Sequence, residues 1–248
     1  MNEEQLQQLS GEGFNRIPIV REVLADTETP LSTYLKLAKG KHSYFFESVQ
    51  GGEKWGRFSI IGLPCSTVLR VTARKVMVEV GGEVVEETET KNPFEFISEF
   101  KSRYRVAELD DSQRFAGGLV GYFAYDTVRY VETKIGPSAG DDEINTPDIL
   151  LMLSEEVVVF DNLRGTISFI INVDPSESDV YAKAQNRLDQ LQELLKSPTP
   201  LPESGSGNAA SEDQFHHHFE QARYESAVEK IKEYIVAGDV MQVVLAQR

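Results

Sequence analysis

A carboxylate and a hydroxyl, Glu47 and Ser48, close the aromatic run Tyr44-Phe45-Phe46, and Gly51-Gly52 follows shortly after. At the end of an apolar strand this pair offers an acceptor for an ammonium group and a donor or acceptor for a carboxylate, beside aromatic walls. Arg57 and Ser59, on the next predicted strand, lie alongside if the two strands are neighbours. Those are the needs of a small zwitterion such as a free amino acid. The same residue types also suit an ordinary hydrogen-bonded strand terminus, and composition alone leaves both readings open.

Other chemistry finds less footing. His216-His217-His218 are consecutive, and consecutive side chains on a helix or strand diverge, so they do not converge on one ion. His42 sits between Lys41 and Ser43 in a predicted turn, and no Gly-x-Ser-x-Gly elbow exists to support nucleophilic catalysis. Gly117-Gly118-Leu119-Val120-Gly121 runs into Tyr122-Phe123-Ala124-Tyr125, a strand pattern without the lysine or helix start of a phosphate cradle. Its glycines fit close backbone packing or a bulge in a buried sheet. The acidic pairs Asp110-Asp111, Asp141-Asp142-Glu143 and Glu155-Glu156 read as solvated faces and not as Mg²⁺ ligands.

The elements that must position these residues follow from periodicity. Pro30 to Ala38 predicts a helix with Leu31, Tyr34, Leu35 and Ala38 on one face. Ser43–Val49 and Trp55–Leu63 read as strands, the second ended by Pro64. Val68–Val80 reads as one hairpin arm, turning at Gly81-Gly82 into Glu83–Thr88. Pro93–Tyr104 reads as a helix with Asn92 as its N-cap and Phe96, Ile97 and Phe100 inward. Phe115–Tyr125, Ile149–Phe160 and Thr166–Val173 read as strands, the last two forming a hairpin near Asp161-Asn162. Ser178–Lys196 predicts a long amphipathic helix with Tyr181, Leu188, Leu191 and Leu195 inward. A stretch rich in Pro, Gly and Ser, residues 197–213, predicts an exposed flexible linker. The helix Ala222–Ala237 follows, with Tyr224, Ala227, Val228, Ile231 and Ile235 as its apolar stripe, capped by Gly238. Val240–Leu245 reads as the start of a buried strand, and its position at the end of the sequence suggests a fragment cut just inside a second region.

Composition sets the boundaries. The 248 residues carry a formal net charge of −15, which repels phosphate backbones and anionic lipid and argues against nucleic-acid or membrane-surface partners. One cysteine, Cys65, forms no internal disulfide, and no apolar stretch is long enough to span a bilayer. Met1-Asn2-Glu3-Glu4-Gln5 has neither the cationic start nor the apolar core of a signal peptide, so a cytoplasmic protein is expected.

Taken in order along the chain, several segments resemble one family. They are Ile17-Pro18, Thr29-Pro30-Leu31-Ser32, Ser43 to Val49, Trp55 to Gly62, Gly117 to Tyr122 with Tyr125-Asp126, and Ile235 to Arg248. Together they resemble the large component of anthranilate synthase. The closing segment resembles the opening of that family's chorismate-binding region.

The resemblance implies an α+β fold, two packed antiparallel sheets flanked by helices in an α/β/β/α sandwich, incomplete here. It implies a lyase that converts chorismate to anthranilate in the first step of tryptophan biosynthesis. The enzyme uses Mg²⁺ and takes ammonia from a partner glutaminase subunit. In this family the apolar-apolar-Glu-Ser motif lines an L-tryptophan pocket that inhibits the enzyme, which carries over to Glu47 and Ser48 and, from a neighbouring signature, to Arg57 and Ser59. Phe45-Phe46 stand where the family commonly has Leu-Leu, which changes the volume of the pocket wall. The expected organisation is a regulatory region at 1–196, a linker at 197–213 and the start of the chorismate-binding region at 214–248. The family's catalytic and metal-binding residues are expected beyond Arg248, so none is assigned, and the fragment alone is expected to be inactive. Two alternatives remain. One is the sister enzyme that makes aminodeoxychorismate, and the other is a free-standing amino-acid-binding module.

Overall fold

A computed structural model describes residues 1–47, 56–108, 115–136, 144–200, 211–217 and 219–246. The chain divides into two compact units, Met1–Pro200 and Leu201–Arg248.

The first unit is built on two antiparallel five-stranded sheets. One contains β1 (Ile17–Leu24), β10 (Thr166–Val173), β9 (Glu156–Asp161), β3 (Phe58–Gly62) and β2 (Tyr44–Glu47), in that order. The other runs β6 (Glu83–Glu89), β5 (Lys75–Val80), β4 (Thr67–Thr72), β8 (Ile149–Ser154) and β7 (Gly118–Phe123). Alternation of side chains divides each sheet into two faces, and each face has its own apolar core. Between the sheets lie Tyr44, Val68, Val120 and Met152, with Val157, Val159 and Ile170. The outer face of the first sheet packs Ile17, Ile61, Val158 and Phe169 under three helices. These are α1 (Glu3–Gly11), α2 (Pro30–Leu37) and α5 (Val180–Leu195). The outer face of the second packs Leu69, Val76 and Ile149 under α3 (Pro93–Ser102). A further single-turn helix, α4 (Val128–Val131), follows β7. The result is the expected α+β layering of helices, sheet, sheet, helices.

Local chemistry accounts for most boundaries. The β5–β6 turn has positive φ at Gly81 and Gly82, the geometry that tight hairpins fill with glycine. A Cβ at Gly121 would collide with the Leu150 carbonyl, and one at Gly117 with the Ser154 carbonyl, so the glycine-rich segment serves close backbone packing. Thr29 and Ser32 form a reciprocal capping box at the start of α2.

Several expectations need correction. Val68–Val80 is two strands, β4 and β5, joined by the two-residue turn Ala73-Arg74, in which Ala73 takes φ 52°. Ile149–Phe160 is also two strands, β8 and β9, in different sheets, because the chain changes layer at Glu155. The inward residues of α2 are Thr33, Lys36 and Leu37, followed by Ala38, whereas Leu31 is 54% exposed. Asn92 makes no side-chain cap bond to the α3 backbone; its amide donates to Glu95 Oε1 at 2.9 Å.

In the second unit, α6 (Gln221–Ala237) ends at Gly238, which adopts φ 82° as a left-handed cap. None of its residues is fully buried. The predicted strand at Val240–Leu245 does not form; Met241 and Val244 are exposed, and among the described residues this unit holds no other strand to pair with it. Most of the predicted linker, 201–210, lies outside the described residues. Among the described residues no helix is long and apolar enough to cross a membrane.

One buried ion pair locks α2 to α5. Lys36 Nζ donates to Glu28 Oε1 at 2.6 Å and to the carbonyl of Leu195 at 2.8 Å, and the side chains of Lys36 and Glu28 are only 6% and 12% exposed. Removing one charge strands the other in a low-dielectric setting. Glu28→Gln is therefore expected to destabilise the unit by about 3 kcal/mol, and the double variant Glu28→Gln/Lys36→Met, which leaves neither charge stranded, by clearly less. Urea unfolding of both variants checks this; equal losses would contradict it.

Candidate functional site

Glu47 and Ser59 are brought together. Strand β2 pairs antiparallel with β3 in the register Tyr44↔Gly62, Phe45↔Ile61, Phe46↔Ile60 and Glu47↔Ser59. Directly opposed residues share a face, so Phe45, Glu47, Ser59 and Ile61 point to the helix-covered side, while Tyr44, Phe46 and Ile60 point between the sheets. The glutamate therefore lies on the opposite face of β2 from Tyr44 and Phe46. The aromatic wall on its own face is Phe45, stacked on Tyr34 of α2 with ring centroids 5.6 Å apart.

The register is enforced by shape. A Cβ at Gly62 would run into the Tyr44 ring, so glycine makes the space that tyrosine fills. The Tyr44 hydroxyl pairs with Ser154 Oγ at 2.8 Å, and burial pushes its pKa up to about 12. The thiol of Cys65, nearby in sequence to β3, is likewise pushed up by burial, to about 11. On the edge, Phe46 stays 54% exposed and tilts against Tyr44 at 5.1 Å.

Glu47 is exposed at the open edge of its sheet. Ser59 is completely buried, and its Oγ accepts from the Asn162 amide at 3.1 Å. Arg57 stands just before β3 with its side chain about one-third exposed, at 33%, and it grips Asp161 through Nε at 3.0 Å and Nη2 at 2.5 Å. Its guanidinium also covers the Phe58 ring at 4.8 Å. Ser48 lies outside the described residues, as do Asp110-Asp111 and Asp141-Asp142-Glu143.

Sequence reasoning missed Asp161 and Asn162 as partners of this region. The turn they open was legible, but Arg57 is more than a hundred positions away and nothing local points to it. Burial alone would raise the Asp161 carboxyl; the Arg57 guanidinium and the backbone N–H groups of Arg164 and Leu163 outweigh it and hold it below its ordinary 3.8. Asp174 is also held below that value, first by the Ser176 hydroxyl and then by Arg16.

The acidic pair Glu155-Glu156 is neither a metal site nor a purely solvated face. Glu155 pairs with Arg16 at 2.8 Å and Glu156 with Arg187 at 2.7 Å. Among the described residues no group of three His, Cys, Asp or Glu side chains is arranged to hold a metal ion, so these residues do not fit Mg²⁺. His216 and His217 are exposed, and His218 lies outside the described residues.

The two stacked antiparallel sheets, covered by helices on their outer faces, define an α+β sandwich. Residues 41–248 match the family of chorismate binding enzymes, and the chain belongs to that family. It is 51% identical over 251 residues to anthranilate synthase component 1 of Pseudomonas aeruginosa, covering 100% of this chain and 51% of that protein. It is 43% identical over 252 residues to the protein of the same name from Neisseria meningitidis serogroup B, covering 100% of this chain and 50% of that one. The chain thus spans about half the length of these curated relatives. In fold it is similar to the crystal structure of anthranilate synthase component I from Streptococcus pneumoniae. That match has a TM-score of 0.53 and 23% identity, and covers 88% of this chain and 46% of that one.

The lowered carboxyl groups fix the sign of an acid response. A group whose folded pKa is depressed contributes stability above its unfolded value and loses it as pH falls through the folded one. Asp161 and Asp174 should therefore support the fold at neutral pH and release that support only below about pH 4. Asp161→Asn is expected to lower stability near pH 7 and to flatten the acid limb measured by urea unfolding. An acid limb as steep as the wild type's would contradict this account of Asp161.

Proposed function

We propose that these residues belong to the large component of an anthranilate synthase, which converts chorismate to anthranilate in tryptophan biosynthesis. The observation that carries this reading is the 51% identity, over the whole of this chain, to a relative named anthranilate synthase component 1. The match covers the whole of this chain, and the relatives reported above share the name anthranilate synthase component 1, which favours this enzyme over the aminodeoxychorismate-forming alternative. In this reading a glutaminase subunit supplies the ammonia, Mg²⁺ is held by residues outside this chain, and the enzyme works in the cytoplasm. The stretch described here is the regulatory part and carries no catalytic residue.

The regulatory ligand is L-tryptophan, bound at Glu47, Ser48, Arg57 and Ser59. Glu47 faces solvent at a strand end, where its carboxylate can accept from an ammonium group. Arg57 offers the carboxylate the N–H groups that Asp161 does not engage. The Tyr34–Phe45 stack supplies an apolar wall on the Glu47 face, and Ser59 forms the floor beneath. Inhibition then follows from linkage: tryptophan lowers activity only by as much as it prefers one global state to another.

The test uses the full-length protein. Incubated with chorismate, Mg²⁺ and ammonium, it should form fluorescent anthranilate; the amino-deoxy product would overturn the assignment. Ser48→Ala removes a hydroxyl contact, so half-inhibition should need about tenfold more L-tryptophan. Chorismate kcat/KM should change far less. Lost turnover with unaltered inhibition would instead place Ser48 in the reaction.

A further inference from the structure

The tip of the β9–β10 hairpin is tied to the start of β3 by a compact set of polar contacts. Asp161 receives Arg57 Nε on both carboxylate oxygens, at 3.0 and 3.1 Å, and Arg57 Nη2 on Oδ2 at 2.5 Å. The same carboxylate is itself anchored, because its Oδ1 accepts the backbone N–H of Leu163 and of Arg164, each at 3.1 Å. Asn162 adds a backbone bond from its N–H to the Arg57 carbonyl at 2.8 Å. Its side-chain amide donates to Ser59 Oγ at 3.1 Å and to the Gly56 carbonyl at 3.3 Å.

These contacts leave specific donors over. A guanidinium has five N–H groups in a rigid fork, and Asp161 engages only the Nε and Nη2 side. Among the described residues nothing accepts from Arg57 Nη1. Ser59 Oγ accepts from Asn162 and keeps its own proton to donate. Asp161 is 8% exposed and its side chain turns inward to Arg57, so it does not itself face a ligand at Glu47.

We propose that Asp161 and Asn162 are positioning residues for the amino-acid site formed by Glu47, Arg57 and Ser59. Asp161 fixes the direction of the free N–H edge of Arg57 toward a ligand carboxylate. Asn162 fixes the Ser59 hydroxyl and the backbone from Gly56 to Arg57. The ligand class is an α-amino acid in its zwitterionic form, and the proposal rests on the reading of this site as the tryptophan site. Freed from Asp161, the Arg57 side chain would have to be ordered by the ligand itself, and that ordering weakens binding by about three- to tenfold.

The experiment titrates L-tryptophan calorimetrically into full-length wild type, Asp161→Ala, Asp161→Glu and Asn162→Ala, with thermal melts and chorismate kinetics on each. Asp161→Ala is expected to raise the tryptophan Kd about tenfold, with kcat and chorismate KM within about twofold of wild type. Asp161→Glu restores a carboxylate within reach of Arg57 and should recover most of the affinity. A wild-type Kd in Asp161→Ala overturns the proposal while the tryptophan site stands. A loss of turnover in step with the loss of binding also overturns it, because that marks general destabilisation. If Asp161→Ala does not fold, Asn162→Ala decides: a raised Kd supports the proposal and an unchanged one sinks it. No tryptophan binding by the wild type removes the site reading and this inference together.

Discussion

The chain passes from one sheet to the other across a single residue, Glu155, and the arrangement of the first unit hangs on how that crossing is held. Strand β8 is interior in one sheet, between β4 and β7, and β9 is interior in the other, between β10 and β3. A one-residue link between two interior strands leaves the sheets little freedom to slide, so its anchoring sets their stacking. Glu155 and Glu156 would be costly at such a corner if unpaired. Arg16 reaches the first and also Asp174, and Arg187 on α5 reaches the second. Opposite charges drawn from β1's approach, the β10 exit and α5 thus converge on the point where the layers join. Through β9 the same constraint reaches β3, whose register with β2 sets Glu47 against Ser59.

This explains what was legible in the sequence and what was not. Strand β10, helix α5 and the Gly81-Gly82 hairpin each announce themselves through local pattern, because turn chemistry and periodicity act over a few residues. The break between β8 and β9 does not. Ile149 to Phe160 is apolar on both faces, and both halves are interior strands, so no change of period marks the corner. The charged pair at Glu155-Glu156 was the one available signal. Its meaning depended on Arg16 and Arg187, which only the tertiary fold brings near. The turn at Ala73-Arg74 was hidden for a different reason. Alanine is a poor occupant of positive φ, and its N–H is held by Asp148 Oδ2 at 2.7 Å and its carbonyl by the Tyr130 hydroxyl at 2.6 Å. Tertiary bonds there override local preference.

The candidate site divides along the same line. That an aromatic strand ends in Glu47 is plain from the residues, and so is the neighbouring strand that carries Ser59. The face on which Glu47 stands is not, because Tyr44, Phe45 and Phe46 are all aromatic and alternation gives no contrast. Register decides it: Gly62 admits Tyr44 to the inter-sheet core, and every following side chain of β2 is assigned by that one fit. The strand predicted at Val240–Leu245 fails on the complementary principle. Apolar, β-branched residues suit a strand, but a strand is a pairing, and no second strand is present in that unit among the described residues.

A site on an edge strand has a particular way of communicating. Among the described residues strand β2 joins its sheet only through β3, and β3 leads to β9 and so to the corner at Glu155. Arg57 and Ser59 sit at the first of these junctions, engaged by Asp161 and Asn162. A ligand that pulls on Glu47 or Arg57 alone therefore works against bonds that also fix the β9–β10 turn. Its binding energy is divided between contact with the ligand and any change it demands of that frame. Because interiors are close-packed, the frame does not yield by small continuous amounts. Signalling from this edge thus requires a discrete alternative arrangement of β2 and β3, one that a ligand can favour by its differential affinity and by nothing else. The glycine at position 62 and the ion pair at Asp161 are the two features that such an alternative would have to preserve or break. Under the proposed reading they, more than the exposed carboxylate itself, would set whether occupancy of the edge is felt beyond it.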